Sequence, residues 1–218
     1  MDNVTRHTPV SHPHRGQPTL RRGPDPSASR LTVIALHGRG ASAADILGLA
    51  GELGAPDDVA WIAPEAAGAT WYPYSFLTPI HKNEPFLSSA LDVVDGLVKA
   101  LEQAGLPAER IGLLGFSQGA CLSLEFAARH ARRYAAIVGL SGGLIGPPGT
   151  PRDYTGRFDG TRVFLGCSDV DAHIPVARVH ESADVFRRLG ASVDERIYPQ
   201  MGHLVNGDEI NAVRALLS

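Results

Sequence analysis

Cysteine is scarce: Cys121 and Cys167 are the two in a chain of 218 residues, too few for the disulfide framework that substitutes for a core in small secreted domains. One falls inside an expected helix and the other at the end of an expected strand, so both read as small buried apolar residues. Long apolar runs are missing as well. Nothing approaches the roughly 18 residues a membrane-spanning helix needs. The first residues, with Arg6, His7, Arg15 and several prolines, lack the apolar stretch of a secretory signal. A cytoplasmic protein with no stable membrane insertion is therefore expected. Neither sign of charge dominates. A formal charge of -3 leaves no basic face for nucleic acid and singles out no charged partner, which suits a small-molecule substrate. Also absent is a Gly-x-Gly-x-x-Gly string after the first apolar run, which argues against a nucleotide-binding oxidoreductase. Internal repeats and low-complexity segments are absent too.

What remains is a chain with 44% hydrophobic residues, long enough to bury most of one large core. Residues 1–30 are expected to be mobile or loop-like, because residues 1 to about 16 are rich in His, Pro and Thr and residues 23–29 in Pro and Ser. His12 and His14, split by a proline, make a poor metal pair and are set aside. A single domain over residues 31–218 follows. Continuous apolar runs at 31–36 and 59–63 suit strands covered on both faces, and further strands are expected at 111–116, 135–140, 163–167 and 193–198. Leu87, Ala90, Leu91, Val94, Leu97, Val98 and Leu101 recur at helical spacing and place an amphipathic helix at 86–104, closed by Gly105 and Pro107. Further helices are expected at 118–130, at 176–189 after Pro175, and from about 207, where Asn206 and Glu209 resemble a capping box. Strand and helix alternate, so the fold class is α/β with a mainly parallel sheet and helices on both faces.

The sharpest local signal is Gly115-Phe116-Ser117-Gln118-Gly119. The string alone is common, but here it follows a buried strand and opens a helix, the setting of a nucleophile elbow. Side chains two residues either side of Ser117 would clash in so tight a turn, which explains both glycines. A serine hydroxyl is a weak nucleophile and needs a base, itself oriented by a third group. In this order of elements the partners follow downstream at strand ends. Of the later histidines, His130 ends the elbow helix, His180 lies within a helix, and His173 shares a loop with the acidic candidates. His203 alone lies between the last strand and the last helix. Ser168-Asp169-Val170-Asp171 offers two carboxylates, and either Asp169 or Asp171 could orient the imidazole. For the oxyanion, the Gln118 N–H is the first amide after the nucleophile. The Gly-rich loop Leu36-His37-Gly38-Arg39-Gly40 offers the Arg39 N–H as a second donor. The Arg39 side chain could additionally attract acidic substrates. The aromatic stretch from Trp71 to Leu77 could wall an acyl site or form a short lid, with Trp71 and Phe76 as substrate-binding candidates.

Taken together and in order, five marks resemble the phospholipase/carboxylesterase group of α/β-hydrolases, which includes the acyl-protein thioesterases. They are Leu36-His37-Gly38-Arg39-Gly40, Gly115-Phe116-Ser117-Gln118-Gly119, Ser141-Gly142-Gly143, Asp171-Ala172-His173-Ile174-Pro175 and Tyr198-Pro199-Gln200-Met201-Gly202-His203. The resemblance covers residue 31 to the last residue and implies an esterase of small or medium acyl substrates that needs no cofactor or metal. Thioester cleavage on the same residues is the alternative activity; a catalytically silent binding module is the rival outside catalysis. The resemblance also selects Asp171, which heads the segment matching the family's Asp-Pro-x-Val-Pro pattern, over Asp169. Ala172 replaces a usual proline and Gln200 a frequent glycine, departures that touch loop shape and remove no catalytic atom.

Overall fold

The computed structural model describes residues 12–54 and 57–218; the mobility expected of residues 1–11 falls outside them. In chain order the elements are β1 (Thr19–Arg22), β2 (Leu31–Leu36), α1 (Ala43–Glu52), β3 (Val59–Pro64), α2 (Phe86–Gln103), β4 (Ile111–Phe116), α3 (Gln118–Arg129), β5 (Ala136–Leu140), β6 (Arg162–Ser168), α4 (Val176–Arg188), β7 (Ser192–Tyr198) and α5 (Gly207–Leu217). Among the described residues the strands form one seven-stranded sheet in the order β1-β3-β2-β4-β5-β6-β7, parallel except where β1 pairs with β3. This is the α/β architecture expected from the alternation of elements.

The apolar runs form central strands because both faces of the sheet are covered. All six residues of β2 are buried, and they alternate: Ile34 and Leu36 pack with α2, α3 and α4, whereas Leu31, Val33 and Ala35 pack with α1 and α5. The chain leaves β2 through α1 to reach β3 on one side, then returns through α2 to β4 on the other. Strand order thus reverses between β2 and β4, and a crevice opens at their carboxyl ends. The loops after β2 and β4 meet there.

Two elements escape the sequence patterns. Helix α1 carries Gly48 and Gly51, which weaken intrinsic helix preference. Burial of Ile46, Leu47 and Ala50, with a capping box between Ser42 and Asp45, outweighs that. Strand β1 lies within the segment expected to be loop-like. Its sequence, Thr-Leu-Arg-Arg, is exposed throughout and has no apolar face to read; it forms because its main chain pairs along the outer side of β3, Thr19 opposite Pro64 and Arg22 opposite Trp61.

Helix α5 starts at the expected capping box, in which Asn206 accepts the Glu209 N–H and Glu209 Oε2 accepts the Asn206 N–H, both at 2.9 Å. Glu209 is fully buried, its Oε1 lacks a partner among the described residues, and burial pushes its carboxyl up to about 7. The unfolded chain releases this proton near the ordinary glutamate value, whereas the folded chain keeps it to about pH 7. Stability from this group is therefore fully present below that ordinary value and falls as pH rises through the window up to about 7. Glu209→Gln keeps the acceptor for Asn206 and removes the ionisation. Urea midpoints should show the variant more stable than the parent at pH 8, by on the order of 2 kcal/mol, and the gain should vanish near pH 4.

Candidate active site

Ser117 sits between β4 and α3 with φ 55 and ψ -118, backbone angles that few residues other than glycine adopt. The flanking glycines are steric necessities. A Cβ on Gly115 would press into the Gly119 carbonyl, and one on Gly119 into the carbonyl of Leu36 on β2. The turn is anchored by the Ser117 N–H, which donates to Leu140 O on β5 at 2.9 Å. Ser117 Oγ is thereby lifted clear of the sheet at the crevice.

His203 Nε2 lies 2.8 Å from Ser117 Oγ, and His203 Nδ1 lies 2.7 Å from Asp171 Oδ2. A carboxylate only accepts, so Nδ1 carries the proton and Nε2 faces the serine hydroxyl with its lone pair. The imidazole is held between the Phe116 ring, 5.1 Å away, and the edge-on ring of His173, 4.8 Å away. The Asp171 side chain is buried and heavily coordinated. Its Oδ1 accepts the His173 and Ile174 amides at 2.8 and 3.0 Å, and its Oδ2 accepts the Cys167 thiol at 3.7 Å as well as His203. Burial acts to raise the carboxyl, but the hydrogen bonds from His203 and the two amides outweigh it and hold Asp171 below the usual carboxylate range.

Asp169 is elsewhere. Its Oδ1 accepts the Gln200 N–H at 2.8 Å, bracing a turn in which Gln200 itself has φ 56. That left-handed backbone accounts for the glycine common at this position in the family pattern. Ser168 Oγ completes the brace by accepting the Val170 and Gly202 amides, both at 3.1 Å.

Arg39 and Gln118 both line the cleft, and neither amide has an acceptor among the described residues. The Arg39 side chain, in contrast, is tied to the aromatic stretch. Its guanidinium donates to the carbonyls of Tyr72, Pro73 and Tyr74, each at 2.9 Å. Gln118 works from the other side, accepting the Trp71 N–H and donating to Tyr72 O, both at 2.8 Å. Nothing local to these two residues in the sequence signals their side-chain bonds, which join segments far apart in the chain.

The resulting cleft is about 490 Å³ and is walled by Tyr72, Tyr74, Phe76, Phe116 and Ile174, with Cys121 at its floor. Phe76 thus lines it, whereas Trp71 does not. Trp71 turns inward, fully buried, and its indole N–H donates to His37 O at 2.9 Å, so the wall position passes to Tyr72. Cys121 and Cys167 are both buried, and desolvation pushes each thiol up to about 12; both stay protonated. No helix among the described residues is long and apolar enough to cross a membrane.

The phospholipase/carboxylesterase family model matches residues 25–218. The crystal structure of a phospholipase/carboxylesterase from Dyadobacter fermentans is similar at TM-score 0.87 and 41% identity, over 92% of this chain and 96% of that one. Acyl-protein thioesterase 1 of Gibberella zeae is 32% identical over 124 residues, 56% of this chain and 52% of the relative. The Yarrowia lipolytica protein of that name is 32% identical over 137 residues, 56% of this chain and 60% of the relative. The chain therefore spans little more than half the length of these curated relatives.

Proposed function

The chain belongs to the phospholipase/carboxylesterase family, a group of esterase and acyl-protein-thioesterase-like hydrolases with an α/β-hydrolase fold, and we propose that it is a serine carboxylesterase cleaving small to medium acyl esters through an acyl-enzyme intermediate. The observation that carries this reading is the unbroken hydrogen-bonded line Asp171–His203–Ser117 at the cleft, beside two amides without acceptors. Residues 31–218 form the hydrolase domain in this reading, with β1 as an added edge strand.

In the first half-reaction His203 Nε2 takes the hydroxyl proton as Ser117 Oγ attacks the acyl carbon, and the buried Asp171 carboxylate stabilises the imidazolium. Charge developing on the acyl oxygen is met by the Arg39 and Gln118 amides, bonds that strengthen in the transition state and so act on kcat. Collapse expels the alcohol, which takes its proton from His203. Water, activated by the same imidazole, then attacks the acyl-serine and releases the acid, restoring Ser117. Tyr72 and Phe76 wall the space beside the reacting carbon, and Trp71 backs that wall from within the core.

A cleft of about 490 Å³ lies at the small end of the range for small-molecule sites. The aromatic stretch that would cover it is held by Arg39 and Gln118. Soluble esters of short and medium acyl chains should accordingly be cleaved faster than long-chain triglyceride emulsions. Faster cleavage of the emulsions in a chain-length series of chromogenic substrates overturns this. The same series run on thioesters tests the second reading, which the names of the fungal relatives favour: thioester hydrolysis on the same three residues.

A further inference from the structure

His14 precedes the residues matched by the family, yet it is 2% exposed and fully bonded. Its Nδ1 accepts the Ala67 N–H at 3.1 Å, its Nε2 donates to Trp71 O at 2.9 Å, and its own amide donates to Ser89 Oγ on α2 at 3.1 Å. A single neutral tautomer satisfies both ring contacts, and burial acts to keep the ring neutral. The ring packs on Trp71 and edge-on against Phe86, at 5.5 and 5.9 Å.

The segment it grips supports the loop after β2 at three places. Ala69 O accepts the Gly40 N–H at 2.7 Å, the Trp71 indole donates to His37 O, and the carbonyls from Tyr72 to Tyr74 receive the Arg39 guanidinium. The preceding amide, Ala66 N–H, ends on His37 Nε2 at 3.1 Å. Two successive amides are therefore taken by two imidazoles, one from the loop after β2 and one from the N-terminal segment. Between them and Trp71, Gly68 and Ala69 have φ 61 and 55, a left-handed backbone that alanine disfavours and that requires restraint from outside.

We propose that His14 is a positioning residue for the oxyanion loop: by clamping Ala67 and Trp71 it sets where the Arg39 N–H stands relative to Ser117. The chemistry rests on the serine-esterase reading above; the geometry does not. Because the oxyanion bonds act in the transition state, losing the clamp lowers kcat and leaves KM nearly unchanged. His14→Phe keeps an aromatic ring against Trp71 and Phe86 but loses both ring hydrogen bonds, whereas His14→Gln can supply a donor and an acceptor again.

The test measures kcat and KM on one soluble chromogenic ester, with active sites counted by fluorophosphonate titration, and follows exchange of the Gly40 amide by NMR. We expect His14→Phe to lose about tenfold to a hundredfold in kcat, with KM within about threefold, and to exchange Gly40 faster while β5 amides stay protected. His14→Gln should recover most of both. Unchanged kcat per titrated site with only a lower Tm, or failure of His14→Phe and His14→Ala to fold, assigns His14 to stability alone and overturns the proposal. Should the parent protein turn over neither esters nor thioesters, the serine-esterase reading falls, while Gly40 exchange still decides the clamp: unchanged exchange refutes it.

Discussion

Ser117→Ala should lose both fluorophosphonate labelling and ester hydrolysis, with turnover falling by on the order of 10⁵ to 10⁶, the scale of removing a nucleophile that works as one unit with its base. The magnitude follows from the geometry. His203 Nε2 has the Ser117 hydroxyl at 2.8 Å, and without that oxygen it can act only on water, leaving the residual rate that the two free amides and the cleft supply. The substitution removes one exposed-side oxygen from a turn otherwise fixed by Gly115, Gly119 and the bond to Leu140 O, so the fold should survive and circular dichroism should match the parent. Mass spectrometry of the labelled parent locates the adduct. An adduct on another serine, or full turnover by the alanine variant, sinks the assignment.

Asp171→Asn should cost on the order of ten-thousand-fold in turnover, for a reason specific to this site. Oδ1 of Asp171 already accepts two amides, from His173 and Ile174. An asparagine there must keep its carbonyl oxygen on that side, which turns its NH2 toward His203 Nδ1. The imidazole then has to accept at Nδ1 and carry its proton on Nε2, where it faces the serine hydroxyl as a donor and cannot serve as base. Asp169→Asn has no such consequence, since its carbonyl oxygen can go on accepting the Gln200 amide. It should lose about 1 to 2 kcal/mol of stability with mild kinetic damage. Purifying both variants and measuring turnover on one soluble ester decides between them. Near-normal turnover for Asp171→Asn with collapse for Asp169→Asn reverses the roles.

Features that repeat locally were open to the sequence: the strand runs, the spacing of Leu87 to Leu101 in α2, the elbow glycines and the box at Asn206 and Glu209. Each is a constraint between residues within a few positions of one another. The choice between Asp169 and Asp171 needed a family pattern, because both carboxylates sit on one loop and only the distance to His203, 32 positions on, separates them. What stayed hidden depends on distant partners. Strand β1 has no apolar face, α1 has two glycines, and His14 looks like part of a Pro-rich tail until Ala67, Trp71 and Ser89 close around it. The composition of the stretch from Trp71 to Leu77 marks an aromatic wall but not which residues border the cleft: Tyr72 and Phe76 do, and Trp71 does not.

The contact of Gly119 with the Leu36 carbonyl also governs when the elbow can exist during folding. Thr32 pairs with Ile111 and Leu36 with Gly115, so β2 and β4 must find each other across the whole of α1, β3 and α2 before Gly119 has anything to lie against. Closing loops of that length precedes any reward from the contacts they permit, and parallel sheets built from such pairings belong among the slowly folding topologies. Helices can be complete while the nucleophile turn is still unformed. On the serine-esterase reading, recovery of ester turnover in refolding should therefore come later than the recovery of helical signal.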